Sequence, residues 1–207
     1  MRAQTARRSF NECLREIDMF FEGRDKVHDT MNRLVAALDA EGISYAIMGG
    51  MAVNVHGHER MTKDVDVLLT QEGFETFRTK FLGTLFDPVA GRPRRFSDRQ
   101  NGVTLDVLVT GRYPGSGKPG PVAFPDPETA GEVLDNKRVI NLATLIQLKL
   151  AARRYQDFAD VVSLIRVHNL DESYQARLHP SLHRDYIECL EEKRREEEYE
   201  AREASED

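Results

Sequence analysis

The sequence predicts an α+β fold, and three observations carry that reading. Short apolar runs of strand length flank a Gly49-Gly50 turn, an Asn101-Gly102 pair joins two extended runs as a hairpin, and amphipathic segments of helical period lie toward both ends of the chain. With 207 residues, 40% hydrophobic and 31% charged, the chain suffices for one globular domain, or one domain with a helical appendage.

Taken in order, Ser9-Phe10-Asn11-Glu12 has the form of a capping box, and Phe10, Leu14, Ile17 and Phe21 mark an amphipathic helix over 10–21 that is expected to pack on the domain. Val27, Met31, Leu34, Val35 and Leu38 mark a second helix, closed by Gly42. A strand over 45–48 follows, then the glycine turn, a short helix over 51–56 and a strand carrying Asp64 and Asp66. Phe74, Phe77 and Phe81 share one face of a third helix, as a core stripe does. Residues 94–98 and 103–109 are the hairpin strands around Asn101-Gly102.

Residues 111–127 contain nine Gly or Pro among seventeen, which reads as a loop that covers a site or marks a boundary. Its Gly115-Ser116-Gly117-Lys118 is not a P-loop, because Pro119 stands where Ser or Thr is required. Asn141 caps a helix over 142–153, a second helix spans 157–167, and Leu182, Tyr186 and Leu190 belong to a last one. The divisions are thus an N-terminal helix (1–24), a core (25–112), a Gly/Pro-rich loop (113–127), a helical part (128–190) and an acidic tail (191–207).

The formal charge of −6 sits mostly in the tail, where nine acids face four bases, so net charge does not exclude a nucleic-acid substrate. No apolar run approaches the ~20 residues that span a bilayer. Arg2, Arg7 and Arg8 precede no long apolar run, and Cys13 and Cys189 form no close pair; both facts point to a reducing cytoplasm. His179 with His183, and His56 with His58, lack further ligands and are read as structural.

Asp64 and Asp66 alternate with Val65 and Val67, so both carboxylates project from one strand face. They lie ~6.6 Å apart and repel by roughly 2–3 kcal/mol at an effective dielectric of about 20. A solvated edge strand tolerates this; a hard cation such as Mg²⁺ relieves it. The glycine turn favours the second reading, because Gly49 and Gly50 let a phosphate approach free N–H groups. Asp106, in an otherwise apolar strand, needs a partner: a salt bridge to one of Arg92, Arg94, Arg95 or Arg99, or a shared site. Lys149 lies beside the apolar face of its helix, either snorkelling to solvent or held by an anion.

The series Met48-Gly49-Gly50, thirteen residues, then Asp64-Val65-Asp66-Val67 resembles the signature of the DNA polymerase beta-type nucleotidyltransferase superfamily. Arg60-Met61-Thr62-Lys63-Asp64 resembles the form in its small bacterial members, and LIQLKLAARRYQDFADVV is similar to the helical part of abortive-infection-type nucleotidyltransferases. The resemblance covers roughly residues 27–167. It implies the nucleotidyltransferase fold, a small mixed sheet flanked by helices. It also implies transfer of an NMP from an NTP to an acceptor hydroxyl by a two-metal mechanism, with Mg²⁺ or Mn²⁺ on Asp64, Asp66 and Asp106. Gly49, Gly50, Arg60, Lys63, Lys149 and Asp160 would bind substrate, with Asp157 as an alternative to Asp160. Many relatives carry serine at the second glycine. The implied acceptors are tRNA, protein or a small molecule, and a partner protein would fit a toxin–antitoxin pair. The alternatives are a non-catalytic nucleotidyltransferase-fold protein, such as an antitoxin or nucleotide sensor, and a structural oligomerisation module.

Overall fold

The computed structural model describes residues 9–206; Arg2, Arg7 and Arg8 lie outside them. Helix α1 (Phe10–Phe21) begins at the expected capping box: the Glu12 amide donates to the Ser9 hydroxyl and the Ser9 amide donates to the Glu12 carboxylate. Its packing departs from expectation. Leu14, Ile17 and Phe21 are exposed, and Phe20, off that stripe, is the residue driven into the core, edge-on to His28. The period identified the helix but not the face that docks.

Helix α2 (Lys26–Ala40), capped by Asp25, buries Val27, Met31, Leu34, Val35 and Leu38. The chain then forms β1 (Tyr45–Ile47), α3 (Gly49–Val55), β2 (Asp64–Leu69), α4 (Gln71–Phe81), β3 (Phe86–Val89), β4 (Arg92–Asp98) and β5 (Thr104–Val109). After the Gly/Pro-rich loop come α5 (Pro127–Ala130), β6 (Gly131–Leu134), β7 (Lys137–Ile140), α6 (Leu142–Ala152), α7 (Tyr155–Val167), two 3₁₀ turns and α8 (His183–Glu206).

The seven strands form one mixed sheet in the order β3-β4-β5-β2-β1-β7-β6. β2 runs parallel to β5 and antiparallel to β1, while β1 runs parallel to β7. This is the α+β architecture expected, with one correction. The segment 128–190, read as helical, opens with the β6–β7 hairpin, which completes the sheet beside β1. Its turn residues Asp135 and Asn136 both take left-handed backbone (φ 46° and 61°), the conformation that two-residue hairpins require.

Alternation along β2 and β5 sends Val65, Val67, Leu105 and Val107 into a core shared with α4, where Phe74, Phe77 and Phe96 cluster. The hairpin is fixed to α2 by buried Asp98, whose carboxylate accepts from Thr30 Oγ1 (2.7 Å) and pairs with Arg33. The opposite sheet face carries the carboxylates and is partly covered by α6 and α7. Leu182, Tyr186 and Leu190 dock α8 as expected, and beyond them Arg166 holds Glu196 (2.6 Å) and Glu200 (3.3 Å). No helix among the described residues is long and apolar enough to cross a membrane.

Candidate active site

A cleft of about 430 Å³ opens on the carboxylate face, and Gly49, Asp66, Asp106 and Lys149 line it. Sheet register builds its floor. Asp66 lies opposite Asp106 across the parallel β2–β5 pair, and Asp106 lies opposite Arg95 across β4–β5, so Asp66, Asp106 and Arg95 form a row across three strands. Asp64 adds a fourth charge two residues from Asp66.

Burial pushes the Asp66 carboxyl up to about 7, and the neighbouring Asp64 and Asp106 charges push it the same way. Arg154 and Lys149 oppose that shift only weakly. Asp106 has its own counter-ion: Arg95 donates to both of its oxygens, at 2.8 and 2.6 Å. Of the two partners open for Asp106, the salt bridge is present, and Arg95 supplies it. Asp64 accepts from the Thr62 hydroxyl at 2.8 Å.

The glycine turn shows why two glycines stand there. Gly49 has φ +61°, and a Cβ on it would stand 1.8 Å from Asp66 Oδ2. A Cβ on Gly50 would stand 2.7 Å from the Thr62 Cβ and 2.8 Å from its hydroxyl oxygen. The side-chain volume missing at Gly49 therefore seats Asp66, and that missing at Gly50 seats Thr62. A serine at position 50 would collide with Thr62.

Lys149 is held by anions rather than snorkelling. It is 6% exposed, and its ammonium donates to Asp160 Oδ2 (2.5 Å) and Asp157 Oδ1 (3.2 Å), so both candidate partners are used. Arg60 reaches the same Asp160: Nη2 donates to Oδ2 at 2.9 Å and Nε lies 2.7 Å from Oδ1. Burial alone would raise the Asp160 carboxyl, but Lys149, with hydrogen bonds from Gln156 and Arg60, outweighs it and holds the group below the usual carboxylate range. Arg154, at the start of α7, donates to both Asp157 oxygens (2.6 and 3.0 Å) and lines the cleft with most of its side chain exposed. One ion network thus ties the loop before β2 to α6 and α7. Lys63 is exposed and outside the cleft lining.

Sequence reasoning missed Arg154, Thr62 and the Arg95 register. Arg154 was signalled by its three-residue spacing from Asp157. The Gly/Pro-rich loop also enters the site: residues 113–117 line the cleft, and Phe124 anchors the loop through hydrogen bonds with Gly111 and Arg112. Among the described residues, no three His, Cys, Asp or Glu side chains converge as a ready coordination sphere; Asp64 is bonded by Thr62 and Asp106 by Arg95. The donor set nonetheless suits a hard divalent cation: carboxylate oxygens in one row, with no ion pair to Asp66 among the described residues.

Neither a protein-family model nor a curated protein matches the chain. Solved structures similar to it include the lincosamide antibiotic adenylyltransferase LnuA with lincomycin bound (14% identity, 67% of this chain and 96% of that one, TM-score 0.46). They also include ANT(2″)-Ia in complex with adenylyl-2″-tobramycin (13%, 71% and 95%, TM-score 0.44). A third is an antigenic nucleotidyltransferase-like protein from Paracoccidioides brasiliensis (18%, 76% and 88%, TM-score 0.42). By name LnuA is an adenylyltransferase and the Paracoccidioides protein is nucleotidyltransferase-like; at 13–18% identity these are likenesses of fold.

Proposed function

We propose that the protein is a metal-dependent nucleotidyltransferase that moves an NMP from an NTP to an acceptor hydroxyl. The observation supporting this most directly is the row of Asp66 and Asp106 in register, with Asp64 beside it, facing a cleft bordered by the Gly49 backbone. Asp64, Asp66 and Asp106 would hold Mg²⁺ or Mn²⁺, which when bound neutralises phosphate charge and lowers the pKa of the attacking hydroxyl.

The chain's own residues do the rest. Gly49 presents main chain to the triphosphate, with no side chain to exclude it. Lys149 and Arg60, engaged with Asp160, position α7 against the site, so the phosphate charge falls to the exposed Arg154 side chain and to Arg92 and Arg94 at the cleft rim. Residues 113–117 line the cleft, where they would limit the entry of water. Thr62 keeps Asp64 oriented by its 2.8 Å hydrogen bond.

The test is incubation of the purified protein with each α-labelled NTP and Mg²⁺ or Mn²⁺, with and without total RNA and cell lysate, beside Asp64→Ala and Asp66→Ala. Label transferred by the wild type alone supports the reading, and NTP binding without transfer sinks it. The Arg95–Asp106 pair favours one competitor, a nucleotide-binding protein without turnover, because it occupies a carboxylate that transfer requires.

A further inference from the structure

A second groove, of about 750 Å³, lies on the α4 side of the sheet rim, between α4, the β3–β4 hairpin and the residues after β5. Four arginines border it from three separate segments: Arg78 of α4, Arg92 and Arg94 of β4, and Arg112. Arg94 stands two residues from Phe96, which packs on Phe74 of α4, so alternation places Arg94 on the groove side and Arg95 on the carboxylate side. Among the described residues, the Arg92, Arg94 and Arg112 side chains have no hydrogen-bond or ion-pair partner. Arg78 meets exposed Glu75 at 3.4 Å and lies over the Phe74 ring, 5.9 Å from its centroid. A chain of negative formal charge therefore keeps four guanidinium groups around one groove against a single acid in its wall.

The groove adjoins the cleft. Gly91, Arg92, Pro93 and Arg94 border both, and three residues of strand from Arg95 to Arg92 span about 10 Å. At about 430 Å³ the cleft lies toward the low end of the roughly 300–1,000 Å³ typical of small-ligand pockets, so a bound nucleotide leaves little room there for the body of an acceptor. An acceptor whose hydroxyl reaches Asp66 and Asp106 must then extend past Arg92 and Arg94. A ligand with a repeating anion matches that path, and the planar guanidinium fork suits phosphate oxygens.

Resting on the transferase reading above, we propose that the groove binds the phosphodiester backbone of a single-stranded nucleic acid whose terminal hydroxyl is the acceptor. Phe74 and Phe96 are buried beneath it and offer no stacking platform, so recognition is through phosphates rather than bases.

The experiment uses the full chain and a fluorescein-labelled 20-nucleotide single-stranded RNA, read by anisotropy from 50 to 200 mM KCl, with the DNA of the same sequence as a parallel arm. Arg78→Gln/Arg112→Gln removes two groove cations outside the cleft, and Arg78→Lys/Arg112→Lys keeps their charge. The wild type binds both strands with a steep salt dependence. The glutamine pair loses at least tenfold in affinity at 100 mM KCl, and its log–log salt slope falls by about 1.4, at about 0.7 per phosphate contact. The lysine pair retains most of the binding. NTP affinity measured on the same preparations stays at the wild-type level in both variants, which separates failure of the groove from failure of the transferase reading. Absence of wild-type binding at 50 mM KCl, or an unchanged slope in the glutamine pair, overturns the proposal. Displacement of the strand by poly-glutamate as readily as by unlabelled RNA also overturns it, in favour of an acidic polypeptide.

Discussion

Asp66→Asn should stabilise the metal-free protein above pH 7 while abolishing its response to Mg²⁺. Folding takes the Asp66 carboxyl from an ordinary value of 3.8 to about 7, through burial first and the Asp64 and Asp106 charges second. A raised folded-state value means that the native protein binds this proton more tightly than the unfolded chain does. Its contribution is therefore fully present below pH 3.8, declines between there and pH 7, and is absent above. The interval corresponds to an upper limit of about 4 kcal/mol, and solvent reaching the half-buried carboxylate brings this nearer about 2 kcal/mol. Asparagine removes the charge and with it the decline. In EDTA, the melting temperature of Asp66→Asn should exceed that of the wild type by about 4–8 °C at pH 8, at about 2–4 °C per kcal/mol, and the gap should shrink steadily toward pH 5. Adding Mg²⁺ should raise the wild type and leave the variant unmoved. A gap that does not vary with pH, or a variant less stable at pH 8, would refute the electrostatic reasoning; equal Mg²⁺ shifts would remove Asp66 from the cation site.

Three further outcomes follow from the same geometry. Asp160→Asn leaves Arg60 without its carboxylate and Lys149 with one of its two, so thermal unfolding should show a loss of about 3 kcal/mol, and a loss below about 1 kcal/mol would make the network incidental. Gly49→Ala forces a residue at φ +61° and drives a methyl into Asp66; it should cost about 1–2 kcal/mol in backbone conformation alone, by denaturant titration, and should abolish NMP transfer. Arg95→Gln frees both oxygens of Asp106, so Mn²⁺ titrated without nucleotide should bind several-fold tighter than in the wild type, and unchanged or weaker binding would show that Arg95 does not compete for that carboxylate.

The carboxylate strand was legible because Asp64, Asp66 and their valine partners lie within four consecutive residues, where a period of two suffices. The Asn101-Gly102 hairpin was legible for a similar reason, since the turn chemistry is local. The β6–β7 hairpin was not: Asp135-Asn136 is a weaker turn signal than Asn-Gly, and the short strands sit between segments of strong helical pattern. β3 was hidden by Pro88 within its four residues. Arg95 could be named only as one of four arginines available to Asp106, because choosing among them needs the register across β4 and β5. Lys149 was found, but its bond to two carboxylates at once depends on how α6 and α7 cross, which neither helix encodes alone. The arginine groove was invisible for the same reason, its cations coming from three segments that only the folded sheet brings together.

The bond between Arg60 and Asp160 joins positions 100 residues apart. During synthesis at about 5–20 residues per second, Arg60 is made roughly 5–20 seconds before Asp160. For that interval Arg60 lacks its partner, and for most of it β1 also lacks β7. The nascent chain thus carries its acidic strand well before α6 and α7 exist to brace it, and the site is assembled last from its C-terminal side.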